Sequence, residues 1–363
     1  MRDSERHCRA RWGTIAVQAR QGGDIVAARV RIEDVAAAAG VSMKTVSRVL
    51  NRELNVRDDT RARVQKAVDK LKYVPHFSAR SLAGNKSFLI ALLYNNPSAN
   101  YLMEVMAGVL DACAAEQYNM LLCPLEPDGP RVVSEVEALI GRSQPDGLLL
   151  TPPITDSAGL LRRLAELEIP YASVSPKQQR KCIGVAMDET HAAFDIVAHL
   201  VSLGHRRIGH IVGHPAHGAS GWRLTGYKQG LERAGLKYDP ALVVPGEFSF
   251  QSGAQGAEAL LALRKPPTAI FAANDDMAAG VIHAALERGL RVPDDLSVCG
   301  FDDTPMSRQI FPSLTTVHQP THEMGRLATL ELLASIQRRD GGRMLHVPYT
   351  LKLRRSTGPA PKP

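Results

Sequence analysis

Two pairs of residues in the sequence could in principle carry out catalysis or bind a metal. Asp302 and Asp303 are adjacent carboxylates, and His214 and His217 stand three residues apart. Glycoside hydrolysis needs two carboxylates that face one sugar, but adjacent residues at a strand end usually point apart. A metal site needs a third ligand and supporting contacts, so surface-loop histidines are the simpler interpretation. We therefore predict no catalytic residues and no metal site.

Other catalytic and cofactor-binding patterns are missing from the sequence as well. It contains no nucleophile elbow and no Walker loop, and no GxGxxG segment follows a predicted strand. These patterns are typical of hydrolases, of nucleotide-binding proteins and of dinucleotide-binding proteins. We therefore predict that the protein is not an enzyme and needs no cofactor.

A group of polar residues in a short helical segment indicates DNA binding instead. Lys44 and Arg48 stand four residues apart in a helix predicted from Met43 to Asn51, with Ser47 beside them. The two cations can donate to guanine acceptors or to phosphates, and Met43 can contact a thymine methyl. A solvated helix face is the alternative, and the neighbouring elements decide between the two.

These neighbouring elements form a helix-turn-helix pattern. A first helix begins at Arg31 with its apolar residues on one face, and Gly40 ends it. Ser42 can cap the second helix, which turns Val46 and Val49 inward. Two short helices joined by a tight turn place the second helix in the major groove of DNA. A third helix follows, which Asp58 or Asp59 can cap, with Val64, Val68 and Leu71 on one face, and it stops at Pro75.

The charge distribution agrees with a DNA-binding head. Residues 31–87 contain twelve Lys and Arg against six Asp and Glu, whereas the chain as a whole has a net charge of +7. The positive charge is thus concentrated near one end, as in a nucleic-acid-binding unit attached to a neutral body. Aromatic residues make up only 5% of the chain, which argues against a single-strand binder that stacks bases.

The rest of the chain alternates short apolar runs with helical patterns. The predicted strands are 88–93, 120–123, 147–150, 171–173, 208–212, 269–272 and 297–300, and the predicted helices are 102–116, 131–141, 192–203, 226–234, 255–263 and 277–288. This alternation predicts parallel sheets covered on both faces. There are too many units for one sheet, so we predict two α/β lobes.

The location of the protein also follows from the sequence. The five cysteines contain no CxxC pair and are odd in number, which indicates free thiols in a reducing compartment. No run of eighteen apolar residues exists, and the N-terminus lacks the apolar core of a signal peptide. We expect a bacterial cytoplasmic protein associated with the nucleoid and not with a membrane.

Taken together, these segments resemble the LacI (lactose-repressor/GalR) family of transcriptional regulators. The resemblance is carried by RIEDVAAAAGVSMKTVSRVLN, LKYVP and SARSLAGNKS in the head, and by LVSLGHRRIGHIVG, GWRLTGYKQGL, PTAIFAANDDMAAG, VPDDLSVCGFDD and PSLTTVHQP in the body. It implies an all-α helix-turn-helix head and a hinge helix, joined to a two-lobed α/β core like that of periplasmic binding proteins. It further implies a homodimer that binds a pseudo-palindromic operator in double-stranded DNA.

The resemblance implies a set of DNA-contacting residues in the head and the hinge. In the hinge, Leu82 would be an apolar wedge in the minor groove, where unstacking a base step allows a bent interface. The hinge segment has no core of its own, so it should be disordered without DNA. The full set is Ile32, Ser42, Met43, Lys44, Thr45, Ser47, Arg48, Asn51, Arg57, Ala79, Leu82 and Ala83.

The resemblance also implies an effector site between the lobes, beyond the carboxyl ends of the strands. Its residues would be Pro97, Tyr101, Arg223, Phe248, Asn274, Asp302 and Gln319. Asp302 accepts hydroxyl hydrogens, Arg223 donates, and amides do both, which suits a sugar. Purines or other metabolites are the alternative effectors. A solute-binding protein shares the two-lobed body but carries an export signal and no DNA-binding head.

The domain boundaries predicted from these patterns are as follows. Residues 1–30 form a disordered extension, 31–77 the head, 78–87 the hinge helix and linker, 88–355 the core, and 356–363 a flexible tail. The lobes divide near 185–190, and the chain crosses back near 318–322. The C-terminus has no heptad repeat, so we expect a dimer rather than a tetramer.

Overall fold

The computed structural model describes residues 30–50, 55–73, 86–126, 131–178, 182–338 and 342–362. These fall into two units, Met1–Gly84 and Asn85–Pro363, which are described separately. The predicted extension over residues 1–29 lies outside the described residues. So do the predicted DNA contacts of Asn51, Ala79, Leu82 and Ala83, together with residues 78–85 of the hinge.

The first unit contains three helices around a small apolar core. They are α1 (Ile32–Ala39), α2 (Met43–Leu50) and α3 (Asp58–Leu71). Val35, Val46 and Val64, one from each helix, are completely buried. Ala36 and Ala39 are also buried on α1, where small side chains let the helices approach closely. The apolar faces predicted from helical spacing therefore form the core of the head.

Local hydrogen bonds set the ends of the first two helices. The Asp34 carboxylate accepts from the backbone N–H of Arg31 at 2.7 Å. Gly40 ends α1 with φ of +62°, a left-handed conformation that glycine adopts at little cost. The Ser42 hydroxyl oxygen accepts from the backbone N–H of Thr45 at 3.2 Å. These contacts produce the tight turn between α1 and α2.

The prediction that Asp58 or Asp59 caps α3 is wrong. Arg57 occupies the cap position and makes no side-chain capping bond, while both aspartates lie in the first turn of the helix. Their charges still favour the helix, because the N-terminal end of the helix dipole is positive.

The N-terminal lobe of the second unit is built on a six-stranded parallel sheet. Its strands are β1 (Leu89–Tyr94), β2 (Asn119–Pro124), β3 (Gly147–Leu150), β4 (Tyr171–Val174), β5 (Gly184–Ala186) and β11 (Met344–His346). They lie in the order β11-β5-β4-β3-β1-β2. The helices of this lobe are α4 (Ala99–Ala115), α5 (Val132–Ser143), α6 (Ala158–Glu166) and α12 (Thr321–Arg338). The central strands are buried on both faces, as in other parallel sheets covered by helices.

The C-terminal lobe repeats this design around a four-stranded parallel sheet. Its strands are β6 (Ile208–Ile211), β7 (Val243–Val244), β8 (Ala269–Ala272) and β9 (Ser297–Cys299), in the order β7-β6-β8-β9. Its helices are α7 (Glu189–Ser202), α8 (Gly218–Arg233), α9 (Phe250–Leu261), α10 (Asp275–Glu287) and α11 (Met306–Gln309). Two further strands, β10 (Thr316–His318) and β12 (Thr350–Lys352), pair antiparallel.

The chain passes between the two lobes three times. It leaves the N-terminal lobe after β5, returns after β10 to form α12, and leaves again after β11 to form β12. The sequence did not indicate the third passage. Because β11 and β12 are each three residues long, neither shows a recognisable alternation.

The tail predicted to be flexible from residue 356 is instead fixed to the C-terminal lobe. The buried Ser356 hydroxyl donates to the carbonyl of Val298 at 2.6 Å. Further along, the backbone N–H of Ala360 donates to the carbonyl of Leu203 at 2.9 Å. The prediction was wrong because backbone hydrogen bonds hold this Pro- and Gly-rich segment, and they leave no hydrophobic pattern in the sequence.

Candidate functional site

The outer face of α2 carries the side chains predicted to read DNA. Met43, Lys44 and Arg48 are all exposed, while Val46 and Val49 face the core on the opposite side. This division gives the helix a strongly amphipathic character, in which the apolar side anchors the helix and the polar side stays accessible. The arrangement suits insertion of the polar side into a major groove.

The remaining described residues predicted to contact DNA differ in how accessible they are. The hydroxyls of Ser42 and Thr45 lie 2.9 Å apart and hydrogen-bond to each other. Ser47 is half-buried and Arg57 is exposed. Ile32 is half-buried and packs against the head core, so most of its side chain serves folding.

A cleft between the two lobes of the second unit forms the second candidate site. Its deepest part, the inner pocket, encloses about 420 Å³ of space free of protein atoms, part of it open to solvent. The N-terminal lobe contributes residues that follow β1, β3 and β4, and the C-terminal lobe contributes residues that follow β8, β9 and β10. The lining residues are Asn96, Ser98, Tyr101, Pro152, Ser175, Glu189, His217, Ala219, Arg223, Phe248, Asn274, Asp302 and Gln319.

Arg223, on α8, is the centre of a buried polar network in the inner pocket. Its Nε donates to Glu189 Oε2 at 2.9 Å, and one Nη donates to the backbone carbonyl of Ala273. The other Nη donates to Gln319 Oε1 at 3.3 Å and lies 3.6 Å from Asp302 Oδ1. A buried charge needs such compensation, because removing it from water is costly.

Aromatic rings hold the same guanidinium from its flat faces. The Arg223 Cζ lies 3.6 Å from the centroid of the Phe301 ring and 6.0 Å from that of Phe248. Contacts of this kind are attractive when the cation is shielded from water. They add to the hydrogen bonds that hold the Arg223 side chain in place.

Asp302 has one carboxylate oxygen without a hydrogen-bond partner. Its Oδ1 is buried and makes no hydrogen bond with any described residue. Burial raises the pKa of Asp302 well above its ordinary value, and Arg223 offsets only part of this effect. A buried unsatisfied acceptor is unfavourable, so a hydroxyl donor from a ligand would stabilise it.

The Asn274 side chain makes structural hydrogen bonds in the wall of the pocket. Its side-chain oxygen caps α10 by accepting from the backbone N–H of Met277 at 2.9 Å, and its nitrogen donates to the carbonyl of Phe248 at 3.0 Å. Phe248 itself has φ of +57° and is buried. Asn274 thus holds a strained aromatic residue in the cleft wall, and one N–H and one oxygen lone pair of its side chain are left for a ligand.

Strained backbone is concentrated in this pocket. Ser175, Phe248 and Asp302 all have positive φ, at 47°, 57° and 112°. Non-glycine residues rarely adopt such values, and where they do the site is often functional. The Ser175 hydroxyl is buried and lacks a partner among the described residues, so both lobes present an unsatisfied polar atom in the cleft.

The structure brings together all but one of the residues predicted for the effector site. Tyr101, Arg223, Phe248, Asn274, Asp302 and Gln319 line the inner pocket. Burial raises the pKa of the Tyr101 hydroxyl, so it stays protonated and can donate. Pro97 lies outside the inner pocket: it is exposed and lines an adjoining outer cavity, while its neighbours Asn96 and Ser98 line the inner pocket.

Several lining residues were missed by sequence reasoning. Glu189 pairs with Arg223 across 34 sequence positions, a contact that no local pattern reveals. His217 was interpreted as a surface histidine, but it is buried in the cleft. The only signal for His217 was its position just before α8 in the same segment as Arg223.

Asp303 and the histidine pair show no catalytic or metal-binding arrangement. Asp303 turns away from the cleft and pairs with Arg354 at 2.5 Å and with His318 at 3.2 Å, as expected for adjacent residues that point apart. His214 approaches Glu247 at 3.7 Å. Among the described ranges, no group of three or more potential metal ligands is present. Over the same ranges, no helix has the length and apolar character to span a membrane.

Comparison with known proteins finds bacterial transcriptional regulators that match both parts of the chain. Bacterial regulatory proteins of the lacI family match residues 31–76, and the periplasmic binding protein-like domain matches residues 197–357. The HTH-type transcriptional regulator DegA of Bacillus subtilis (strain 168) is 35% identical over 300 residues, which are 82% of this chain and 88% of DegA.

Solved structures of regulators have the same architecture. The Lac repressor dimer bound to operator and the anti-inducer ONPF superposes with a TM-score of 0.74 at 30% identity, covering 91% of this chain and 99% of that one. The complex of the transcriptional regulator CelR with cellobiose gives a TM-score of 0.70 at 29% identity, covering 90% and 100%.

Proposed function

This chain belongs to the lacI family of bacterial regulatory proteins, and on that premise we propose that it is a sugar-responsive repressor of carbohydrate-utilisation genes. The family consists of DNA-binding transcriptional regulators and not of enzymes. What remains to be proposed is how this particular chain contacts DNA, which effector controls it, and how the two events are linked. It would act in the bacterial cytoplasm, at the nucleoid.

The DNA-binding role belongs to the exposed face of α2. Lys44 and Arg48 would contact base edges or phosphates in the major groove, with Met43 and Ser47 beside them. Two copies of the chain in a homodimer would place two such helices on a pseudo-palindromic operator. The likeness to the operator-bound Lac repressor dimer supports this arrangement. Leu82, outside the described residues, would enter the minor groove between the half-sites.

One observation carries the effector-binding role. Asp302 and Ser175, one from each lobe, line the same pocket, and Asp302 Oδ1 and Ser175 Oγ are both buried without a hydrogen bond to any described residue. A ligand rich in hydroxyl groups would satisfy both atoms at once, because a hydroxyl both donates and accepts. The likeness to a cellobiose-bound regulator supports a sugar.

Binding of one ligand by both lobes provides the link to DNA. A ligand that contacts Asp302 on one side and Ser175 on the other stabilises one arrangement of the lobes over others. It can change operator affinity only as far as its own affinity differs between these arrangements. The same logic covers an inducer, which releases DNA, and a corepressor, which promotes binding.

The test has two steps and two informative outcomes. Selection from random duplexes should yield a pseudo-palindromic operator, and thermal unfolding with sugars and purines should then identify a ligand that changes operator affinity. A ligand at 100 times its Kd adds about 2.7 kcal/mol to stability. A purine hit would replace the sugar assignment. Failure to select any preferred sequence would refute the proposed DNA-binding role of α2.

A further inference from the structure

Next to the inner pocket lies a second cavity, which we call the vestibule. The vestibule encloses about 860 Å³, much of it open to solvent. Asn96 and His217 line both spaces, so the two cavities lie side by side in the cleft. The other residues of the vestibule are Asn95, Pro97, Glu126, Pro153, His214, Glu247 and Ser249.

Among the residues that the structure describes, no unpaired positive charge lines the inner pocket. Arg223 is the one Lys or Arg among its lining residues, and two carboxylates, Glu189 and Asp302, lie against the guanidinium. The Glu189 contact is 2.9 Å between side chains that are 2% and 4% exposed. An anionic ligand would therefore have to compete with Glu189 and Asp302 for the guanidinium of Arg223, because no other cation is available in the described lining.

The vestibule is acidic. Within the described part of the chain, its lining includes Glu126 and Glu247, both exposed, and no Lys or Arg. Lys177 is a cation near the cleft, but it lines neither cavity, and its ammonium donates to the carbonyl of Ala216 at 3.0 Å. A phosphate or carboxylate group of a ligand in the vestibule would be repelled by these two glutamates, and the concave shape of the cleft strengthens the repulsion.

The histidine shared by both cavities does not supply the missing cation. His217 is buried, and burial together with His214, Arg223 and Lys177 lowers its pKa to about 4. It is therefore neutral near pH 7 and can exchange hydrogen bonds with hydroxyl groups. Hydroxyl groups of a ligand can also form hydrogen bonds with Ser175 Oγ and Asp302 Oδ1, the two buried atoms that have none with a described residue.

We propose that the cleft selects uncharged ligands, so that the effector is a neutral saccharide reaching from the inner pocket into the vestibule and its phosphorylated or carboxylated forms are rejected. This inference rests on the proposed function, because it assumes that the cleft is the effector site. It narrows the effector class from sugars, sugar phosphates and nucleotides to neutral polyhydroxy compounds.

Matched pairs of ligands test the selectivity directly. The chain contains two tryptophans, Trp12 and Trp222, and Trp222 lies close to Gly218 at the start of α8. In a Trp12→Phe chain, fluorescence of Trp222 reports binding of cellobiose against cellobiose 6-phosphate, ribose against ribose 5-phosphate, and inosine against inosine monophosphate. For any pair that binds, the neutral member should bind on the order of tenfold more tightly at low salt.

Inorganic pyrophosphate tests the same charge effect without knowledge of the effector. It should not change Trp222 fluorescence in the wild-type cleft at low salt. In the double variant Glu126→Gln/Glu247→Gln, the ratio of affinities for the neutral and the anionic ligand of each pair should fall roughly threefold or more. The same fall is expected for the wild type in about 0.5 M salt, because salt screens the carboxylates. The matched control is Glu258→Gln, which removes an exposed carboxylate on α9 that lines neither cavity.

The outcomes separate this inference from the proposed function. An anionic member that binds as tightly as its neutral partner, or pyrophosphate that binds to the wild-type cleft, overturns the inference even if that ligand controls operator binding. An unchanged preference in the double variant shows that the vestibule carboxylates do not select the ligand, and also overturns it. If instead no cleft ligand alters operator affinity, the proposed function fails, and the pyrophosphate result still decides the charge selectivity.

Discussion

Replacing Arg223 with methionine should destabilise the core unit by about 3–5 kcal/mol, the usual cost of leaving one partner of a buried ion pair alone. The partner is Glu189, whose carboxylate accepts from Arg223 Nε at 2.9 Å. Both side chains are at most 4% exposed, so solvent cannot take over the role of the arginine. Methionine keeps most of the aliphatic volume beside Phe301, and the loss therefore reports the charge more than a cavity.

Two further variants assign the loss to the ion pair. In Arg223→Met/Glu189→Leu both charges are gone, and at least about 2 kcal/mol should be recovered, because removing both partners is often neutral. Glu189→Gln alone should cost only about 1–2 kcal/mol, since Arg223 keeps the carbonyl of Ala273, Gln319 and Asp302 as partners. The expected order of stability is thus asymmetric between the two single variants.

Urea denaturation followed through Trp222 provides the assay. In a Trp12→Phe background Trp222 is the sole tryptophan, and it lies on α8 next to Arg223, so its signal reports the unit that is perturbed. A loss below about 1 kcal/mol for Arg223→Met would contradict the calculation. So would a double variant that is no more stable than Arg223→Met alone.

Three other predictions test the head, the titration of the core and its packing. Arg48→Ala should weaken operator binding and, if Arg48 contacts a phosphate, reduce the slope of log affinity against log salt by about 1. The control Lys265→Ala, which removes an exposed charge of the core unit, should change neither the affinity nor the slope. Equal slopes for the wild type and both variants would show that Arg48 is not in the interface. Burial raises the pKa of Asp275 from 3.8 to about 7, so the folded state binds more protons than the unfolded state and loses stability as the pH rises from about 4 to about 7. Asp275→Asn should flatten that fall in urea titrations at several pH values, and an unchanged pH dependence would rule out the titration. Gly253→Ala should lower the free energy of unfolding by about 1–3 kcal/mol or more, because a Cβ there would lie 2.1 Å from a carbonyl oxygen of the facing helix. The control Gly221→Ala, with open space around the glycine, should be neutral or stabilising by up to about 1 kcal/mol. Equal effects of the two substitutions would contradict the close packing at Gly253.

The sequence predicted the elements that have a strong local signal. The α1–α2 turn was readable because Gly40 and Ser42 are residue types with defined turn and capping roles, and the strands β3 and β8 were predicted with their observed ends because they are short apolar runs between polar turns. By contrast β7 has two residues and β5 has three, which is too short for any periodicity. Helix α12 was overlooked, although Met324, Ala328 and Leu332 recur every four residues and are completely buried.

The candidate site was predictable only in part, for a similar reason. Arg223, Asn274 and Asp302 stand in segments that resemble the family, so they could be carried over without knowledge of the fold. Glu189 and Ser175 lie in segments without such a motif, and their role depends on contacts across the cleft. The split role of Asn274, which caps α10 and holds Phe248, also needed the three-dimensional arrangement, because a sequence does not show which hydrogen bonds are already used.

The central claim is that a ligand in the cleft controls the affinity of the head for DNA. The most direct measurement is the Kd of the selected operator, by fluorescence anisotropy at fixed salt, with and without the ligand found by thermal unfolding. It should be made on the wild type and on Asp302→Asn, which removes the negative charge of this cleft residue but keeps its shape. We expect the ligand to change the Kd of the wild type by about 5- to 150-fold, and Asp302→Asn to bind the operator normally but to respond much less. A variant that responds like the wild type, or a ligand that binds without changing operator affinity, would contradict it.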